Sequence, residues 1–187
     1  KFGKSEAGES VWLDAARTTP FDFYQYWLNT DDRDVGTYLR WFTELTRDEI
    51  EMLDAAVIAA PEGREAQRRL AADITTRTHG RGAADAAIRD SSALFAPGAI
   101  TDPEVLASLH AATGGFSFAG GGSVVAVLGG AGLVASNGEA RRLISGGGVT
   151  INGTRVTDPD HVPEPVSGEW LDVRLGKRRR EIGRILP

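Results

Sequence analysis

The sequence predicts an α+β protein, an all-helical domain followed by a small α+β module. Three observations lead there. Helix caps and apolar residues at 3.6-residue spacing recur through 20–111, five glycines break every period in 113–123, and Asn152-Gly153 sits between two β-prone runs. The expected layout is a loop and connector over 1–18, a helical domain over 19–112, a Gly-rich linker over 113–122 and an α+β module over 123–187.

Residues 1–18 hold two glycines, two serines and no apolar period, so they read as loop, with one short extended piece around Val11 to Leu13. Thr19 can cap a helix whose first position is Pro20, where a missing N–H costs nothing. Phe21, Tyr24, Trp27 and Leu28 give that helix an aromatic face. A second helix starts after Asp31 or Asp32, with Val35, Tyr38, Leu39 and Phe42 on one side. Thr46 and Glu49 form a capping box ahead of Ile50, Leu53, Val57 and Ile58. Pro61 opens a fourth helix that stops near His79-Gly80, the Ala-rich stretch Ala83–Phe95 makes a fifth, and Thr101, Pro103 and Glu104 repeat the box before Val105, Leu106 and Leu109. Beyond the glycines, Ser123 to Leu128 gives a short apolar helix, and Ser136 with Glu139 caps another through Ile144, ended by Gly146–Gly148. Asn-Gly suits a two-residue hairpin turn because both positions take φ > 0. It joins Val149-Thr150-Ile151 to Arg155-Val156-Thr157, and Trp170–Leu175 and Glu181–Leu186 are two further strands joined by Gly176-Lys177-Arg178-Arg179.

Composition narrows the chemistry. The 187 residues contain no cysteine, which excludes disulfides, thiolate metal sites and cysteine nucleophiles, and His79, His110 and His161 lie far apart. No apolar run is long enough for a membrane span. The net charge of −5 conceals a split: residues 1–117 carry 12 basic and 19 acidic side chains, and residues 118–187 carry 9 basic and 7 acidic. In the last 14 residues Arg174, Lys177, Arg178, Arg179, Arg180 and Arg184 face only Glu181. That asymmetry points to a polyanion partner at one end of the chain.

Arg141 and Arg142 are placed by this reading in the first turns of a helix, where unpaired N–H groups and the helix dipole favour phosphate and guanidiniums add charge-assisted contacts. The Gly176–Arg180 turn supplies a second cationic group, and Thr150 and Asn152 supply polar contacts. The alternative for the helix arginines is a solvated face with one of them paired to Glu139 or a neighbour. Lys1, Lys4 and Ser5 share a Gly-containing loop that could close on a polyphosphate; a plain solvated loop is the competing reading. The aromatic group Phe21, Phe23, Tyr24, Tyr26, Trp27, Tyr38, Trp41 and Phe42 has the spacing of a helix–helix core, and Asp31, Asp32 and Asp34 read as caps rather than metal ligands. No complete catalytic constellation is visible, and no protein-bound metal is expected.

Taken in order, KFGKS (1–5), WLD (12–14), PFDFYQYWLNTDDRDVGTYLRWFT (20–43), ALF (93–95) and GEARRLISGGGVTINGTRV (138–156) resemble the bacterial tyrosyl-tRNA synthetases. KFGKS looks like the KMSKS signature of class I synthetases, with Phe2-Gly3 where the family name has Met-Ser, and 138–156 looks like an S4-type RNA-binding domain, with Gly138 where relatives often carry a basic residue. The resemblance implies that Lys1, Lys4 and Ser5 clamp the phosphates of ATP, supplied as its Mg complex, with Lys4 foremost. It implies that 19–112 lies against the anticodon arm, and that Arg141, Arg142, Arg174, Lys177, Arg178 and Arg179 hold the anticodon stem and long variable arm of tRNA(Tyr). It further implies a cytoplasmic, homodimeric ligase using L-tyrosine. The family's Rossmann catalytic domain, with its tyrosine pocket and main dimer interface, is absent from this sequence and would precede residue 1, so the chain alone is expected to be inactive. A free-standing S4-type RNA-binding module without catalysis is the alternative.

Overall fold

The computed structural model describes residues 10–176 and 179–186. The chain is α+β and divides into two compact units, Lys1–Ser91 and Ser92–Pro187.

The first unit is helical: α1 (Pro20–Leu28), α2 (Asp32–Phe42), α3 (Arg47–Ala59), α4 (Glu65–His79) and α5 (Arg81–Phe95), which runs on past Ser91. Local chemistry sets the starts. Thr19 Oγ1 accepts from the Asp22 N–H with Pro20 at the first helical position, and Asp31 caps α2. The Thr46–Glu49 box is reciprocal: Thr46 Oγ1 accepts from Glu49 N–H at 3.3 Å, and Glu49 Oε2 accepts from Thr46 N–H at 2.8 Å. The Thr46 N–H and hydroxyl, both donating to Glu49 Oε2, hold its carboxyl below its ordinary pKa.

Pro61 does not open α4. It starts a single 3₁₀ turn, Pro61–Gly63, and α4 begins only after Arg64, whose φ of 48° is left-handed. Arg64 is held there by its guanidinium, which donates to the carbonyls of Leu28 (2.6 Å), the last residue of α1, and Thr30 (3.2 Å) just beyond it. α4 packs against α1, α2 and α3. The core is Phe23, Tyr24, Trp27, Val35, Leu39, Leu53, Leu70 and Ile74, so most of the aromatic group is interior as expected. Trp41 departs from that reading, with 70% of its surface exposed.

At the end of α4, the His79 ring stands edge-on to Phe23 at 4.8 Å, and its Nε2 is buried without a hydrogen-bond partner among the described residues. Burial lowers the imidazole pKa. The unfolded chain therefore takes up this proton first as pH falls. The contribution to stability is whole above about 6.5, the free imidazole value, and is lost as pH drops through the folded pKa. The melting temperature should fall between pH 7.5 and 5.5, and His79→Phe should flatten that part of the profile. Parallel profiles for the two proteins would mean the ring is open to water.

The second unit contains α6 (Pro103–Thr113), β1 (Phe116–Phe118), α7 (Val124–Gly130), α8 (Asn137–Ser145), β2 (Val149–Ile151), β3 (Thr154–Val156), β4 (Trp170–Leu175) and β5 (Arg179–Ile185). The cap of α6 is Asp102, one residue later than the Thr101 box predicted, because Asp102 Oδ1 accepts from Glu104 N–H at 2.9 Å. The strands order β1-β5-β4-β2-β3, with β1 parallel to β5 and the other pairs antiparallel. One face carries Val149, Ile151, Leu171 and Val173 into a core with Val124, Leu128, Ala140 and Ile144 of α7 and α8. The other face carries Trp170, Asp172 and Ile182, and α6 packs over β4 and β5 there, with the His110 ring edge-on to Trp170 at 5.4 Å.

Two local readings change. Residues 116–118, within the stretch expected to be linker, form β1 against β5. Arg179 and Arg180, expected in a turn, lie in β5 opposite Leu175 and Arg174. The Asn-Gly hairpin stands as read, with Asn152 at φ 48° and Gly153 at φ 79°. Asn152 also accepts from Asp172 N–H at 2.9 Å and donates to the Glu164 carbonyl at 2.7 Å.

Candidate nucleic-acid interface

The candidate surface starts at α8. Ser136 caps it, accepting from Glu139 N–H at 3.2 Å, and Glu139 Oε2 accepts from Ala135 N–H at 2.8 Å, one residue short of the reciprocal bond in a capping box. Ala140 and Ile144, four apart, are fully buried and fix which side of α8 faces inward, which leaves Arg141 and Arg142 exposed. The helix has nine residues and Arg142 lies in its last turn, so it stands away from the N-terminal N–H groups with which it was expected to act. Of the N–H groups at that end, Ser136 Oγ takes that of Glu139.

The two arginines differ. Arg141 comes within 3.6 Å of Asp160, with 55% and 77% of the two side chains exposed; such a pair is worth about 0–1 kcal/mol. Arg142 has no ion pair or side-chain hydrogen bond among the described residues and is open to solvent. After it the chain turns at Gly146–Gly148: Gly147 N–H donates to Ile144 and Gly148 N–H to Leu143, both within 2.9 Å, with Gly147 at φ 68°.

The tail is less available than its composition suggests. Arg174 was expected on RNA; in the structure its guanidinium donates to the carbonyls of Ala96 at 2.5 Å and Gly98 at 2.8 Å. Arg179 donates to Glu181 at 2.9 Å and to the Leu133 carbonyl at 2.9 Å. Arg180 forms a two-bond ion pair with Asp172 at 2.7 and 2.6 Å, the side chains being 6% and 1% exposed. Its remaining N–H groups reach the carbonyls of Ala93, Leu94 and Gly98 at 2.8–3.1 Å. Arg184 pairs with Glu169 at 2.6 Å. Lys177 and Arg178 lie outside the described residues, as do Lys1, Lys4 and Ser5.

One residue escaped the sequence reading. Arg155 is exposed in β3, without an ion pair or side-chain hydrogen bond among the described residues, on the same sheet face as Thr150. The signal that could have found it is its place, two residues after the Asn-Gly turn and thus opposite Thr150 in a two-residue hairpin.

Among the described residues no group of three or more carboxylate, imidazole or thiol side chains could hold a metal, and no helix is long and apolar enough to cross a membrane. The Asp31 carboxylate is engaged by the side chain and N–H of Arg33, which keep its pKa far below the usual range.

The sequence has counterparts among known proteins. Residues 1–96 match the family model of the class I tRNA synthetases (W and Y), and residues 126–165 match the S4 domain. The chain belongs to this class I synthetase family. Within it, the chain is 42% identical over 189 residues to the tyrosine–tRNA ligase of Nocardia farcinica and 43% identical over 185 residues to that of Mycobacterium tuberculosis, matching 95% of this chain and 44% of each relative. The chain thus spans less than half the length of these curated relatives. A solved structure of a C-terminally truncated mitochondrial tyrosyl-tRNA synthetase of Aspergillus nidulans is similar at 35% identity over 46% of this chain and 25% of that one, with a TM-score of 0.45.

Proposed function

We propose that this chain is the tRNA-binding portion of a tyrosine–tRNA ligase, which attaches L-tyrosine to tRNA(Tyr) in a reaction driven by ATP. The carrying observation is 42–43% identity, along 95% of the chain, to enzymes of that name. The match of 1–96 to the synthetase model favours this over a free-standing S4-type module. In this reading the α8 surface, with Arg141 and Arg142, holds the phosphates of the anticodon stem and variable arm, joined by Lys177 and Arg178. The helical unit lies against the anticodon arm. Lys1, Lys4 and Ser5 close on the phosphates of Mg-bound ATP and stabilise the charge that develops as the adenylate forms. The enzyme is cytoplasmic and dimeric.

The test is a binding titration of this chain with tRNA(Tyr) transcripts carrying an intact or a shortened variable arm. Affinity for the intact form should fall with salt by about 0.7–0.9 log–log units per phosphate contact. Shortening the arm should weaken binding about tenfold, the equivalent of about 1.4 kcal/mol. Affinity indifferent to both salt and arm length would overturn the reading.

A further inference from the structure

A row of paired residues crosses the sheet: Arg155 of β3 stands opposite Thr150 of β2, Thr150 opposite Arg174 of β4, and Arg174 opposite Arg180 of β5. Directly opposed residues share a face, so three guanidiniums start from one line. Like charges so placed repel, and their surroundings separate them into two kinds.

Arg174 and Arg180 point at the same target. Both donate to the Gly98 carbonyl, and both reach Ala96, at 2.5 Å from Arg174 and 3.4 Å from Arg180. Arg180 adds the carbonyls of Ala93 and Leu94 in the last turn of α5, where the helix dipole presents partial negative charge. The buried Asp172 carboxylate completes the arrangement by binding Arg180 and accepting from Ile100 N–H at 3.0 Å. Arg180 cannot turn to an outside anion without leaving the buried Asp172 carboxylate unpaired, and Arg174 would have to give up the Ala96 and Gly98 carbonyls.

Arg155 is placed otherwise. Its stem lies along the glycine turn: a Cβ at Gly147 would stand 3.3 Å from Arg155 Cδ and 3.5 Å from its Nη1. The bare backbone of Gly147 therefore gives the guanidinium a shelf, immediately after the helix that ends with Arg142 in its last turn. The head remains in solvent with its donors unused by any described residue.

We propose that Arg155 is a phosphate-contacting residue of the RNA surface, working beside Arg142 across the Gly146–Gly148 turn, and that Arg174 and Arg180 are positioning residues that touch no phosphate. The assignment rests on the RNA-binding reading above. It moves the sheet's contribution from the basic tail to the β2–β3 hairpin.

The experiment measures affinity of the 187-residue chain for a tRNA(Tyr) transcript from about 50 to 200 mM KCl, alongside thermal melting. Arg155→Ala should reduce the log–log slope by about 0.7–0.9 with the melting temperature unchanged, and Arg155→Lys should keep the slope. Arg174→Met should do the reverse, lowering the melting temperature while the slope measured below it stays at the wild-type value. An unchanged slope in Arg155→Ala, or a reduced slope in folded Arg174→Met, overturns the assignment. A wild-type chain with no salt-dependent affinity overturns the RNA-binding reading and this assignment with it, and differs from the first case because no variant can then be told from wild type.

Discussion

Replacing Asp172 with Ala is expected to cost the second unit about 3–5 kcal/mol of stability, the range for removing one partner from a buried ion pair. The carboxylate is 1% exposed and has three donors to satisfy, two on Arg180 and the Ile100 N–H. Without it the Arg180 guanidinium, itself 6% exposed, keeps its charge in a poorly solvated place with only peptide carbonyls for company. Three structural segments then lose their common fastening: the end of α5, the lead into α6 and the centre of the sheet. Urea unfolding followed by tryptophan fluorescence should show an earlier transition, since Trp170 lies two residues from Asp172 on the same face. The double variant Asp172→Leu with Arg180→Met should recover much of the loss, because a well-packed apolar pair carries no desolvation cost. A loss below about 1 kcal/mol in Asp172→Ala would show the pair to be solvated.

The second large effect is expected at Gly115, just before β1. A Cβ there would collide with the Ile182 carbonyl oxygen and come within 2.6 Å of His110 Cδ2. The backbone of β5 cannot yield as a flexible side chain can, so Gly115→Ala should cost about 1–3 kcal/mol by overpacking. The His110 Nε2 contact with the Phe116 carbonyl, 3.2 Å in the structure, would break first and free β1 from β5. Hydrogen exchange at the Leu186 N–H, which donates to the Phe118 carbonyl at 2.8 Å, reports that release. Wild-type protection in the alanine variant would mean that β5 accommodates the methyl group.

Gly115 also shows where sequence reasoning stops. Five glycines between helices have the composition of a linker, and nothing local distinguishes a flexible glycine from one required by close approach. The partner that explains Gly115 is Ile182, and β1 pairs with residues 183–185, far along the chain. The elements that were legible are those whose cause lies within a few residues. Thr19 and Thr46 cap their own helices, and Asn152-Gly153 turns its own hairpin. Arg64 marks the boundary between the two cases: its left-handed backbone delays α4, and the reason is a pair of carbonyls at 28 and 30.

The candidate site divides in the same way. Arg141 and Arg142 were legible as helix residues because the Ser136–Glu139 cap starts their helix locally, and the burial of Ala140 and Ile144 leaves them facing outward. Charge counting does not tell the tail's arginines apart, because it cannot see carbonyls. Arg174 and Arg180 are used by backbone oxygens of 93–98, groups that carry no mark in the sequence. Arg155, isolated in sequence from other basic residues, gave no cluster to notice.

The order of the strands has a consequence for how such modules can be exchanged between proteins. The S4 match, 126–165, contains only β2 and β3, the hairpin at one edge of the sheet. The centre and the far edge are built from 116–118 and 170–185, on both sides of the matched stretch. Cut out at its matched limits, the segment would leave Val149 and Ile151 without β4 beside them and expose an unpaired edge. In this protein the matched stretch is therefore only part of the sheet, and a graft that keeps the five-stranded sheet has to carry residues 116–118 and 170–185 with it.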